Sequence, residues 1–161
     1  MATSVFLSHS ASDIDLVRKV ERHAEPLDVQ TYVFEDDAQP GVPIAAKLQE
    51  RIRTSDAVIV LLTKASQHRP SVHAEIGIAR ALGKPIIPVI EVGVDPLQFV
   101  FLQGMEWIAL DLAKLDEALL AIQRVLKRIT DAAKDNAQTI AAVILIVAAI
   151  FLIASTMKRA G

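Results

Sequence analysis

The chain contains no cysteine. Disulfides, thiol catalysis and cysteine-ligated zinc are therefore excluded. Aromatic residues make up only 4% of it, too few for a base-stacking surface. The formal net charge is -2, so no global field draws the protein to nucleic acid, and none is expected as a partner. Neither a P-loop nor a G-x-G-x-x-G run is present. The segment Met1 to Ser12 lacks a basic start, and its apolar run is only Val5–Leu7, so no secretory signal is expected.

Charge is also missing from one long stretch. From Asn136 to Met157 there is no charged residue, and Ala, Val, Ile and Leu dominate. As a helix this run is about 33 Å long at about 1.5 Å per residue, enough for a hydrocarbon core of about 30 Å. It reads as a single C-terminal transmembrane helix, with membrane lipid as its partner. Arg124, Lys127, Arg128 and Lys134 precede it, against Lys158 and Arg159 after it. The positive-inside bias and the lack of a secretory signal put the preceding domain on the cytoplasmic side. An apolar helix packed against another chain is the alternative.

Ahead of that run the pattern is that of a folded domain. Val5–Leu7 is a short apolar strand, and Ser12 can cap a helix that Pro26 stops. Val29–Phe34 is rich in strand formers. The loop at 35–41 is followed by Ile44, Leu48 and Ile52, which share one helix face. Ala57–Leu62 is a continuous apolar run, as in a strand buried on both faces. A helix over 70–82 ends at Gly83. Pro85–Ile90 is a fourth strand whose Pro88 predicts an incomplete ladder. Trp107–Leu110 is a fifth. Leu112, Leu115, Leu119, Ile122, Leu126 and Ile129 then mark a long amphipathic helix. This alternation predicts an α/β domain with a flavodoxin-like five-stranded parallel sheet, in strand order 2-1-3-4-5. The expected divisions are a domain over 1–110, a final helix or stalk over 111–135, the span at 136–157 and a tail at 158–161.

Ligands of such sheets bind beyond the C-terminal strand ends, where the order reverses. Here Ser8-His9-Ser10, Leu62-Thr63-Lys64 and the acidic loop after the second strand should converge. Glu75 lies near the edge of the apolar face defined by Val72, Ile76 and Ala79. A carboxylate there suits a functional acid, though a boundary Glu reaching water fits equally. His9 reads as a hydrogen-bond donor in the first loop. His68, His73 and Glu75 lack the spacing of a zinc helix, so no metal is expected. A phosphoacceptor receiver domain would need acids ending strand one and an aspartate ending strand three, which this chain lacks.

Val5-Phe6-Leu7-Ser8-His9-Ser10 with Asp13 resembles the first box of the Toll/interleukin-1 receptor (TIR) domain family, in its bacterial form. Asp36 through Pro40-Gly41 to Ile44, with Ile52 and Ser55, resembles the family's BB loop and the helix after it. Ser66 and Ser71-Val72-His73-Ala74-Glu75-Ile76 resemble the segment carrying the catalytic glutamate of TIR enzymes. The resemblance spans about Ser4 to Leu110.

It implies cleavage of the nicotinamide–ribose bond of NAD, with NAD as substrate and no separate cofactor. Glu75 would be the catalytic residue. Ser8 and Ser10, with His9 between them, would lie near the nucleotide, and Phe34 with the Glu35–Pro43 loop would gate the site. Ser71 stands where bacterial relatives often carry Trp, which points to weaker packing under the site or an altered substrate. The chemistry suits one carboxylate: nicotinamide leaves as a neutral molecule, while the ribose gains oxocarbenium character. The resemblance also implies self-association, a role in defence or cell-death signalling, and a downstream effector or second TIR protein. The alternative is a non-catalytic scaffold that assembles with other TIR domains, Glu75 being structural.

Overall fold

The computed structural model describes residues 2–34 and 40–134. Strands β1 (Thr3–Ser8), β2 (Val29–Tyr32), β3 (Ala57–Leu62), β4 (Ile86–Glu91) and β5 (Ile108–Leu110) alternate with helices α1 (Ile14–Ala24), α2 (Ile44–Thr54), α3 (Pro70–Ala81) and α4 (Leu115–Lys134). The sheet order is β2-β1-β3-β4-β5 and every pairing is parallel. This is the flavodoxin-like arrangement expected from the sequence.

Alternation along the strands divides the core in two. Val5, Leu7, Ile59, Leu61 and Val89 face α1 and α4. Phe6, Val58, Val60, Leu62 and Ile90 face α2 and α3. All six residues of β3 are buried, because helices cover the sheet on both sides. Its apolar run is the direct imprint of that double burial.

Several boundaries differ from the sequence reading, each for a local reason. Ser10, not Ser12, caps the first helical segment, a 3-10 turn over Ala11–Asp13, by accepting from the Ser12 backbone N–H. Ile44 is 64% exposed, since it opens α2 and only Leu48 and Ile52 reach the core. Leu112 is 55% exposed because it sits in the 3-10 turn before α4, where the helical period has not begun. Trp107 is exposed and precedes β5.

Pro88 lies opposite Val60 within an unbroken β3–β4 ladder. Val58 N–H donates to Pro85 O, so odd-numbered residues of β4 turn their backbone groups toward β3. Pro88 therefore turns its missing donor toward β5, which pairs only from Val89 onward. The incomplete ladder is on that side alone.

Helix α3 ends as Gly83 predicted. Gly83 adopts φ +64, its N–H reaches Arg80 O, and Lys84 N–H reaches Ala79 O. That pair of bonds is the Schellman motif.

Helix α4 packs on the sheet beside α1, burying Leu119, Ile122, Val125, Leu126 and Ile129 in the same core as β1. Gln123 Nε2 donates to His23 O across that contact. Among the described residues no helix is long and apolar enough to cross a membrane. The expected span at 136–157 lies outside them.

Leu126→Ala should cost about 2–5 kcal/mol of folding stability through cavity formation. Leu112→Ala, on the exposed turn, should stay within about 0.5 kcal/mol. Urea titrations of the two variants check the difference.

Candidate active site

Parallel strands and short links bring the ends of β1, β3 and β4 together with the start of α3. Pro70 occupies the first turn of α3, where a missing N–H costs nothing. From there Val72, Glu75, Ile76 and Ala79 form the buried face of the helix. Glu75 is thus not at the margin of that face but within it, 6% exposed. Its Oε2 accepts a hydrogen bond from Ser8 Oγ at 2.5 Å. Ser8 is the last residue of β1 and fully buried. Two residues 67 apart in sequence are therefore joined at the strand end where a site was expected.

The neighbouring candidates serve the loop itself. His9 is buried, with Nδ1 2.8 Å from Leu7 O. A carbonyl only accepts, so Nδ1 carries the hydrogen and the ring is held in one orientation. Ser10 Oγ lies 2.9 Å from Ser12 Oγ and caps the turn. Phe34 follows β2 and packs partly against the α2/α3 core, with Lys47 Nζ 4.5 Å from its ring centroid. Pro43 is the exposed cap residue of α2, its carbonyl accepting from Lys47 N–H. Glu35 lies outside the described residues.

Ser71 is exposed, one turn before Glu75 on α3.

A second polar cluster stands beside the Ser8–Glu75 pair, and its members were legible only as motif neighbours. Thr63 Oγ1 donates to the Asp13 carboxylate, at 3.0 and 2.9 Å from its two oxygens. Ser66 is fully buried, accepts from Thr63 N–H at 2.7 Å and donates to Leu61 O at 2.9 Å. Glu91 ends β4 and accepts from Lys64 N–H at 2.8 Å, with Lys64 Nζ 3.4 Å away. These bonds tie the loops after β1, β3 and β4 to one another. An acid or hydroxyl directly after an apolar strand was the available signal for Thr63 and Glu91.

Burial raises the Asp13 carboxyl above its ordinary value. The Thr63 hydroxyl, a backbone bond from Ser10 and the charge of His9 oppose that shift, while Glu91 adds to it. Among the described residues no group of three His, Asp or Glu side chains could hold a metal ion.

The family follows from these features together with direct comparison. A family model described as TIR domain matches residues 5–126, and the chain belongs to the TIR domain family. That match runs past Leu110 into α4. The TIR domain of the Toll-related receptor TRR-2 from Hydra magnipapillata has a similar structure. It superposes with a TM-score of 0.65 at 18% identity, covering 79% of this chain and 97% of that one. A TIR-STING receptor from C. gigas, solved with 2′,3′-cGAMP, gives 0.59 at 22% identity, covering 74% of this chain and 39% of that one. The CMP N-glycosidase BcmB of Clostridium botulinum gives 0.53 at 21% identity, covering 73% and 95%. At these identities the likeness is one of fold. No match is found among curated proteins.

The raised Asp13 pKa implies a definite pH dependence. A folded-state pKa above the unfolded one gives stability that is full below the unfolded value of 3.8 and lost as pH rises through the folded pKa. Asp13→Asn keeps an acceptor for Thr63 and removes that loss. The melting temperature of the variant relative to the parent should therefore climb as pH rises from about 4 and then level off. Thermal melts across pH 4–8 check this.

Proposed function

We propose that this TIR domain is an NAD-cleaving enzyme that uses Glu75 at the nicotinamide–ribose bond. The observation that carries the reading is the Ser8–Glu75 hydrogen bond at the end of β1. The bond orients a carboxylate at the strand ends where α/β sheets of this order bind ligands. An oriented carboxylate can hold the ribose hydroxyls and stabilise positive charge as it develops. Nicotinamide departs with the bonding electron pair as a neutral base, so no acid need protonate it. Water or another acceptor then adds to the ribose carbon. Ser8 fixes the carboxylate. The same fold serves an N-glycosidase in the Clostridium protein, which supports the reaction class without assigning it here.

In this reading the Asn136–Met157 run tethers the domain to a bacterial inner membrane, cytoplasmic side in. Copies gathered on one surface self-associate more readily than free ones. Such an enzyme would act as an effector or signal producer in defence or cell-death signalling.

A non-catalytic scaffold that recruits a second TIR protein or a downstream effector is the competing reading. Two exposed apolar residues after β4 favour it, Leu97 at 81% and Val100 at 74%.

NAD consumption by the full chain in liposomes at high surface density separates the two. Glu75→Gln should lower turnover by about 100-fold or more. Ser8→Ala should lower it by about 10-fold, through loss of carboxylate orientation. Both variants should keep a cooperative thermal melt. Undiminished turnover in Glu75→Gln removes that residue from the reaction. No turnover in an assembled wild-type protein favours the scaffold.

A further inference from the structure

We propose that the edge of the domain opposite the crevice docks on anionic lipid headgroups, so that the candidate site faces away from the membrane. The proposal rests on the tether reading.

In a parallel α/β sheet each helix runs back against the strands, so all four helices end at the edge where the strands begin. The last turns at that edge are basic: Arg22 and His23 of α1, Arg51 and Arg53 of α2, Arg80 of α3 and Lys134 of α4. Lys84 joins them from the loop after α3, and Lys127 and Arg128 from α4. The carboxylates sharing the edge are fewer: Glu21, Glu25, Asp28, Glu50, Asp56 and Asp131. Glu21 pairs with Arg18 on the same helix, Glu50 with Arg53 and Asp131 with Lys127, which leaves Arg22, Arg51, Arg80, Lys84, Arg128 and Lys134 outside these pairs. First turns of α1 and α4 carry the reverse sign, with Asp15 and with Asp116 and Glu117, while those of α2 and α3 carry no acid. Lys and Arg thus outnumber Asp and Glu at the edge where the strands begin.

Cations in a last turn also offset the negative end of a helix. That account does not reach Lys84, which follows a completed C-cap, or Lys127 and Arg128, which lie above the last turn of α4.

The connection supplies the occupant. Helix α4 packs against α1 and is described to Lys134, and in sequence Asn136–Met157 follows one residue later. A tether leaving this edge brings the basic residues within reach of headgroups, where Lys and Arg near an anionic surface are attracted over about a Debye length. Six-residue strands span about 20 Å. The crevice would then stand about that far above the bilayer, open to water-borne substrate.

The absence of native cysteine allows clean single labels. Thr54→Cys marks the basic edge, at the end of α2, and Leu97→Cys marks the crevice edge, after β4. The full chain is reconstituted into phosphatidylcholine vesicles with or without phosphatidylglycerol, carrying a headgroup-bound quencher. The label at position 54 should be quenched several-fold more than that at 97, and only with phosphatidylglycerol present. Combined Arg22→Glu, Arg80→Glu and Arg128→Glu should remove that difference. Equal quenching at the two positions, or a pattern indifferent to phosphatidylglycerol or to the charge reversal, overturns the proposal. Carbonate washing tests the tether separately. Protein released by carbonate refutes the span, while flotation without the wash still reads whether the basic edge prefers phosphatidylglycerol.

Discussion

Burial of β3 on both faces is the constraint on which the rest of the structure depends. A strand of six apolar residues cannot leave either face to water, so helices must cover both. Parallel pairing meets that demand, because every crossover helix is laid on one face or the other. The same connectivity sends all strand ends to one edge and all helix ends to the opposite one. A polar crevice and a basic edge are then separated by the length of the strands. Neither local sequence nor any single side chain sets this separation.

At the crevice edge the backbone runs out of ladder partners, and side chains take over. Ser10 caps the turn after β1, Thr63 and Ser66 close the turn after β3, and Glu91 pins Lys64. Glu75 is held in the same way, by a hydroxyl from the neighbouring strand. Polar groups this deep need partners, since an unsatisfied one costs about 1–3 kcal/mol. Hydrogen-bonded loops around one oriented carboxylate are what an enzyme acting by charge stabilisation requires. They are also what a stable scaffold requires.

Much of the architecture was legible in the chain. Continuous apolar runs announced the buried strands, and Gly83 announced the end of α3, where the structure adds the Schellman bonds. What was not legible lay where a pattern meets an element boundary. Ile44 and Leu112 extend a helical period on paper but sit in first turns that overhang the core. Ser10 and Ser12 are both good caps, and only the path of the chain leaving β1 chose between them. Glu75 was placed near the rim of its helix face by angle alone, whereas packing against β1 draws it inside.

The sequence by itself determined the fold class, the strand order and the identity of the candidate residues. Fold class and strand order follow from hydrophobic period and short links, which are local, while the candidate residues follow from strand-end position and the family resemblance. Only the tertiary structure decided that Ser8 and Glu75 share a hydrogen bond, that Asp13 joins Thr63, and that Ser71 faces out. Each of these depends on how two elements far apart in the chain are rotated against each other. No spacing within one segment encodes that rotation; it is set by the packing of both sheet faces at once.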